Sequence, residues 1–373
     1  MTSLNTQHYI CFLDDYNASD IITIFNLKPK HVIFIHENTK FFQNKFEDVK
    51  NYIHSKEKKI VVRSKILNKI SFEEISNIIK QYPKENSIIS LSNGNKLLSL
   101  LTYNLCANEG YKSFYYDTPM KNIISFYNNS IIPIDLKEHS MDLDDCIGST
   151  GGGIISEATS FYSSKVIKKS LDLITSNYSL WNKIKNSFVV QGDYVHIRIS
   201  NQKQKSEFIR FINALIQLNI ADYYVEKDKS SYLVKFTSTQ YKYFIASGSW
   251  LEALVFNIIS EIKEVSDIRA GVKFTWDKDD TNVENEIDVL ASSNGNLIYI
   301  SCKDTSRYET PSLNEIDVNS EQIGGDNVKM VMVATSYPYR NTVHERAKAM
   351  GIELIIFDGN KDTLKRKLSS ILM

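Results

Sequence analysis

Short apolar runs at Tyr9–Leu13, His31–Ile35, Lys59–Val62 and Ser87–Leu91 alternate with 3.6-periodic stretches over Phe41–Ser55, Phe72–Gln81 and Lys96–Asn108. Brief runs bounded by polar turns predict buried strands, and the periodic stretches predict amphipathic helices. Regular alternation of the two predicts an α/β fold whose parallel sheet carries helices on both faces. After Gly148-Ser149-Thr150-Gly151-Gly152-Gly153 the pattern changes. Ser156–Asn186 reads as mostly helical, Asp193–Ser200 as a strand, Ser206–Ile220 as an amphipathic helix and Tyr223–Thr237 as a hairpin, together a small α+β segment. From Ser249 a helix follows with Trp250, Leu251, Leu254, Val255, Ile258, Ile259 and Ile262 on one broad face, and then two strand-like segments.

In an open parallel sheet, ligands bind at the carboxyl ends of the strands. Two loops at such ends are candidates: Asp14-Asp15-Tyr16-Asn17 and Ser92-Asn93-Gly94-Asn95-Lys96. The second combines hydroxyls, amides and a glycine ahead of a helix start, where free N–H groups and the dipole favour an anion. It reads equally as a polar turn with an N-cap, and the spacing of a Walker A motif is absent. The glycine run, with Thr150 and Gly151, is either a flexible linker or a backbone nest for a phosphate.

With 373 residues the chain accommodates two or three domains of roughly 100–200 residues each. Its 44 basic and 44 acidic groups exclude a protein that grips nucleic acid by bulk charge. Locally the balance is uneven: 17 basic and 17 acidic groups in residues 1–150, 13 and 7 in 151–250, and 14 and 20 in 251–373. A basic middle rich in tyrosine suits a nucleic-acid backbone, or is an ordinary solvated surface. Cys11, Cys106, Cys146 and Cys302 lack metal-ligand spacing, which argues against a zinc site or a disulfide framework. The N-terminus does not read as a signal peptide, and no run approaches the roughly 18 apolar residues of a membrane span. A soluble, cytoplasmic protein without membrane partners is expected.

The strongest chemical pattern is Asn285-Glu286-Ile287-Asp288-Val289-Leu290 followed by Leu297-Ile298-Tyr299-Ile300-Ser301-Cys302-Lys303. An Asn294-Gly295 turn between them predicts a hairpin that sets Asp288 opposite Ser301 and Glu286 opposite Lys303. Alternation then puts Glu286, Asp288, Ser301 and Lys303 on one face, with Ile287, Val289, Ile300 and Cys302 in the core. Paired carboxylates suit Mg2+ or Mn2+, and a lysine suits charge developing on a phosphate. A surface Glu286–Lys303 ion pair explains part of the same pattern. Glu252, at the edge of the apolar face of its helix, is a third acid, although Ser249 and Glu252 also fit a capping box.

In order and type, these pieces resemble the PD-(D/E)xK restriction-endonuclease-like nucleases. Gly248 to Glu252 (G-x-W-L-E), N-E-I-D-V-L, I-S-C-K and Ile323-Gly324-Gly325 look like the C-terminal nuclease of CRISPR ancillary effectors with an N-terminal CARF sensor. The S-N-G-N-K loop is similar to the CARF ligand loop. The resemblance spans roughly residues 1–145 and 245–373. It implies a Rossmann-like sensor over 1–147, a linker and small basic segment over 148–244, and a restriction-endonuclease-like α/β domain over 245–373. It further implies a homodimer that binds cyclic tetra-adenylate and then cuts single-stranded RNA or DNA in type III CRISPR defence. On this likeness Asp288, Glu252 and the Cys302 carbonyl would hold the metal, Lys303 would serve the water or transition state, and Glu286 would assist. Ser301 stands where the family carries an acid, so one ligand must be replaced, by Glu286, Glu252 or the Cys302 carbonyl, which puts metal affinity and the choice between manganese and magnesium in question. Two other readings stay open: a non-catalytic nucleotide-sensing DNA-binding regulator, and a constitutive restriction or repair endonuclease.

Overall fold

The computed structural model describes residues 6–117, 122–127, 130–135, 142–199, 201–275, 285–293, 296–324 and 328–372. The Asn294-Gly295 turn and Gly325 lie outside them. The chain divides into two compact units. Residues 1–155 form most of the first, and residues 156–273, 286–318 and 329–373 form the second.

The first unit is built on strands β1 (His8–Phe12), β2 (His31–Glu37), β3 (Val61–Leu67), β4 (Ser87–Ser90), β5 (Lys112–Asp117), β6 (Asn122–Tyr127) and β7 (Ser130–Asp135), in the order β3-β2-β1-β4-β5-β6-β7. The first five are parallel, as the alternation predicts, and β6 and β7 extend the sheet antiparallel. Each central strand is buried on both faces. Tyr9 and Cys11 pack into one core with Ile21, Val49 and Ile53, and Ile10 and Phe12 pack into the other with Ile75, Ile79 and Leu105. Helices Ala18–Leu27 and Lys40–Lys56 supply the first core, and Phe72–Ile79 and Lys96–Glu109 the second. The helix at 18–27 is buried nearly all round, Asp20 and Thr23 included, and its β-branched run Ile21-Ile22-Thr23-Ile24 favours a strand locally.

The glycine run is not a flexible linker. Gly148 lies in the helix Leu143–Ser149, where a Cβ would come 2.4 Å from the Tyr52 ring. At Gly152 a Cβ would meet the Thr275 carbonyl at 2.6 Å. Strand β8 (Gly153–Ser156) then carries the chain out of this unit.

In the second unit, β9 (Val189–Gln191), β10 (Tyr194–Arg198), β11 (Ala221–Asp228) and β12 (Ser231–Phe236) form an antiparallel sheet of order β11-β12-β10-β9. A larger sheet contains β13 (Val265–Thr275), β14 (Asn285–Ser293), β15 (Asn296–Lys303), β16 (Lys329–Ala334) and β17 (Ile352–Ile356), in the order β17-β16-β15-β14-β13. The segment expected as a separate middle piece shares one core with the C-terminal segment: Trp181, Phe208 and Phe244 cluster with Trp250, Val289, Ile300 and Leu368. No helix among the described residues is long and apolar enough to cross a membrane.

Candidate active site and ligand loops

The β14–β15 hairpin has the register that its turn predicts. Val289 pairs with Ile300, Leu290 with Tyr299, and so on to Ser293 with Asn296. Beside the Val289–Ile300 pair, the Asp288 side chain takes over from the ladder. Its Oδ2 accepts the Cys302 amide at 2.6 Å and the Ser301 hydroxyl at 3.1 Å. Ser301 therefore anchors the neighbouring acid rather than adding one. Burial pushes the Asp288 carboxyl up, as does Glu286, against Lys303 and the two hydrogen bonds.

Glu252 comes from the helix Ser249–Ile259, where Trp250, Leu251, Leu254, Val255, Ile258 and Ile259 are all buried. This helix is apolar nearly all round, and Glu252 is the carboxylate in its first turn. The capping-box reading fails. Gly248 (φ +92°) is the cap with no side-chain bond, and the Ser249 hydroxyl sits 3.0 Å from that of Ser247. Glu252 instead accepts the Tyr162 hydroxyl at 2.8 Å. Burial pushes its carboxyl up to about 8, with Asp288 and Glu286 adding to the rise and Tyr162 and Lys303 opposing it. Glu252, Asp288 and Lys303 thus form one electrostatic cluster. Glu286 contributes its field but turns to Lys273, 3.7 Å away, with its side chain 53% exposed.

Among the described residues, no three His, Cys, Asp or Glu side chains are close enough to hold a metal ion. The site offers two partly buried carboxylates, both pushed up by burial, with Asp288 raising the proton affinity of Glu252, which is the electrostatic condition a cation relieves. Magnesium and manganese are commonly held by one or two carboxylates plus waters, so Glu252 and Asp288 fit such an ion. Glu286, engaged with Lys273, does not join them.

Several residues around the site were not foreseen from sequence. Tyr162 lies 90 positions from Glu252, and its backbone carbonyl accepts the Asn257 amide at 2.9 Å. Asp304, next to Lys303, accepts the Trp250 indole N–H at 2.6 Å and the Thr335 hydroxyl at 2.8 Å, and it pairs with Lys185. The signal available was chemical: a buried tryptophan needs an acceptor for its N–H.

In the first unit, the strand order reverses between β1 and β4, the position where doubly wound sheets bind ligands. The two candidate loops meet there. The Gly94 amide donates to Asp14 Oδ2 at 2.8 Å, and Asn93 Nδ2 donates to the buried Asp20 at 2.7 Å. The Gly94 amide is therefore engaged by a carboxylate. Asn95 caps the helix at Leu98, while the Ser92 hydroxyl accepts from the Ser90 hydroxyl and from the Tyr116 amide. Lys96 is exposed. Asn17 bridges to the third candidate segment by donating to the Ser149 carbonyl at 3.1 Å. Asp15 is exposed and Tyr16 partly buried, whereas Thr150 and Gly151 are buried.

The chain matches the family model of the Card1-like endonuclease domain over residues 239–371. No curated protein sequence matches it. In fold it is similar to the protein VC1899 from Vibrio cholerae (TM-score 0.75, 18% identity, covering 98% of this chain and 97% of that one). It is also similar to Can2 from Sulfobacillus thermosulfidooxidans, solved with cyclic tetra-adenylate (TM-score 0.71, 17% identity, covering 98% and 99%). A type III CRISPR defence DNA nuclease activated by cyclic oligoadenylate matches at TM-score 0.54 and 12% identity, over 91% of this chain and 47% of that one. The segment that matches the Card1-like endonuclease domain, residues 239–371, is the one that holds Glu252, Asp288 and Lys303.

Proposed function

We propose that the chain is a metal-dependent nuclease of type III CRISPR defence, switched on by cyclic tetra-adenylate and cutting single-stranded RNA or DNA. The observation that carries this is the cluster of Glu252, Asp288 and Lys303 inside the endonuclease domain. Likeness in fold to Can2, solved with cyclic tetra-adenylate, supports the activator, as does the meeting of two polar loops at the switch point. In this reading residues 1–147 are the sensor and 245–373 the nuclease, the protein is a cytoplasmic homodimer, and the ligand meets Asp14, Asp15, Tyr16, Asn17 and Ser92 to Lys96, with Thr150 and Gly151 behind them.

Glu252 and Asp288, with the Cys302 carbonyl, would hold Mn2+ or Mg2+. When bound, such an ion polarises a phosphoryl oxygen and makes its water a stronger nucleophile. The chain's own residues prepare the rest. Tyr162 fixes one carboxylate, and the Ser301 hydroxyl and Cys302 amide fix the other through Oδ2. Lys303 supplies positive charge where negative charge develops on the phosphate.

The test is cleavage of labelled single strands with manganese or magnesium, with and without cyclic tetra-adenylate. Cutting that needs both, and is lost in Asp288→Ala and Lys303→Ala, supports the reading. Cutting without the activator supports a constitutive endonuclease. Binding without cutting, indifferent to chelator, supports the regulator.

A further inference from the structure

The β11-β12-β10-β9 sheet covers a core with only one of its faces. Val195, Ile197, Tyr232 and Val234 are buried on that side, where Phe208 packs on Tyr232 with ring centroids 5.0 Å apart. Alternation turns their neighbours outward. Register then aligns these in two ranks across the sheet: Tyr194–Lys235–Tyr223 and His196–Leu233–Val225. Arg198 extends the face along β10 and is exposed. The Tyr194 and Tyr223 hydroxyls lie 3.0 Å apart, their rings meet edge to face at 6.5 Å, and Lys235 Nζ sits 5.8 Å from the Tyr223 ring. Tyr223 is 40% and Val225 44% exposed. The two ranks contain no acid. Exposed Asp193 and Asp222 adjoin Tyr194 and Tyr223 along the chain, and the Asp222 charge is felt at the Tyr223 phenol, while Asp228 is tied to the Ser230 and Ser231 hydroxyls at the hairpin end, between exposed Lys227 and Lys229.

We infer that this open sheet face is a platform for single-stranded nucleic acid, with bases stacking on Tyr194 and Tyr223 and phosphates meeting Lys235 and Arg198. Its role as a substrate-holding surface rests on the nuclease reading, but the binding itself does not. Aromatic rings on an open sheet bind unpaired bases regardless of sequence, and interspersed cations track the backbone. A duplex, whose bases are already stacked, has no use for the two rings. A second copy of this chain fits less well, because a two-fold contact sets the same patch against itself and brings like charges together.

The test uses the full chain in EDTA, so that nothing is cut, and follows fluorescence anisotropy with short labelled oligo-dT, oligo-U and duplex. The Tyr194→Ala/Tyr223→Ala double variant is expected to bind single strands at least about tenfold more weakly, whereas the double Phe variant keeps the affinity. Lys235→Ala is expected to lower the salt slope by about one. Unchanged affinity in these variants overturns the inference, as does tighter binding of duplex than of single strand. Self-association lost in the variants without loss of nucleic-acid binding overturns it too. If the double Ala chain does not fold, Lys235→Ala and Arg198→Ala decide. Metal-dependent cutting that persists without this binding sinks the platform and spares the nuclease reading; binding without cutting does the reverse.

Discussion

Tyr162 donates its hydroxyl to the Glu252 carboxylate at 2.8 Å, joining two helices that are 90 residues apart in the chain. Burial and the negative charge of Glu252 keep the phenol protonated, so it remains a donor across the working pH range. Removing a partner of a metal-binding carboxylate typically costs ten- to a hundredfold in affinity or activity. Tyr162→Phe is therefore expected to raise the manganese needed for half-maximal cleavage by roughly tenfold or more while leaving the fold intact. A titration of cleavage against metal checks this, and an unchanged half-point removes Tyr162 from the site.

Glu286 and Ser301 make opposite predictions. Because Glu286 is engaged with Lys273 on the surface, Glu286→Gln is expected to change cleavage by less than about threefold, in line with the small worth of exposed ion pairs. Ser301→Asp adds an acid beside Asp288, so metal binds more tightly and the metal-free protein is less stable. Calorimetric metal titration alongside thermal unfolding in EDTA tests both halves.

The Lys185–Asp304 pair has side chains only 6% and 12% exposed, and Asp304 also serves Trp250 and Thr335. Asp304→Ala leaves a buried ammonium without its counter-charge, though still donating to the Thr335 hydroxyl, and an indole N–H without its acceptor. The expected loss is about 3–5 kcal/mol, read from denaturant midpoints. A loss below about 1 kcal/mol means that the pair is hydrated in solution.

Gly148→Ala separates a packed helix from a linker. A Cβ at Gly148 would press into the ring of Tyr52, whose hydroxyl is bonded to Asp145. Overpacking of this kind costs about 1–3 kcal/mol. An unchanged melting temperature would restore the linker reading.

Asp20 is fully buried, accepts the Tyr9 hydroxyl at 2.6 Å, and has its carboxyl pushed from 3.8 up to about 6, chiefly by burial. A raised carboxylate favours the protonated folded state. Its contribution is therefore fully present below about pH 4 and lost as pH rises through 6. Measured against Asp20→Asn, the wild-type chain is expected to lose up to about 3 kcal/mol of relative stability between pH 4 and 7.5. A difference that stays flat over that window contradicts the burial account.

Much of this molecule follows from local chemistry. A period of two and an Asn-Gly turn are enough to place Asp288 and Ser301 side by side, because one slip of register would expose Val289 and Ile300. Alternating strands and helices likewise bring Asp14 and Gly94 to the same end of a parallel sheet, since each crossover returns the chain to that edge. Other features depend on contacts between distant segments, which no local period encodes. Tyr162 reaches Glu252, Lys185 reaches Asp304, and Lys273 draws Glu286 aside only after the helices and sheet have packed. The helix at 18–27 is hidden for a related reason: its β-branched run favours a strand locally, and packing on nearly all sides makes it a helix. Periodicity records which face of an element is dry. Which partner a polar group finds depends on packing, because a buried donor or acceptor must be satisfied by whatever the fold brings within reach.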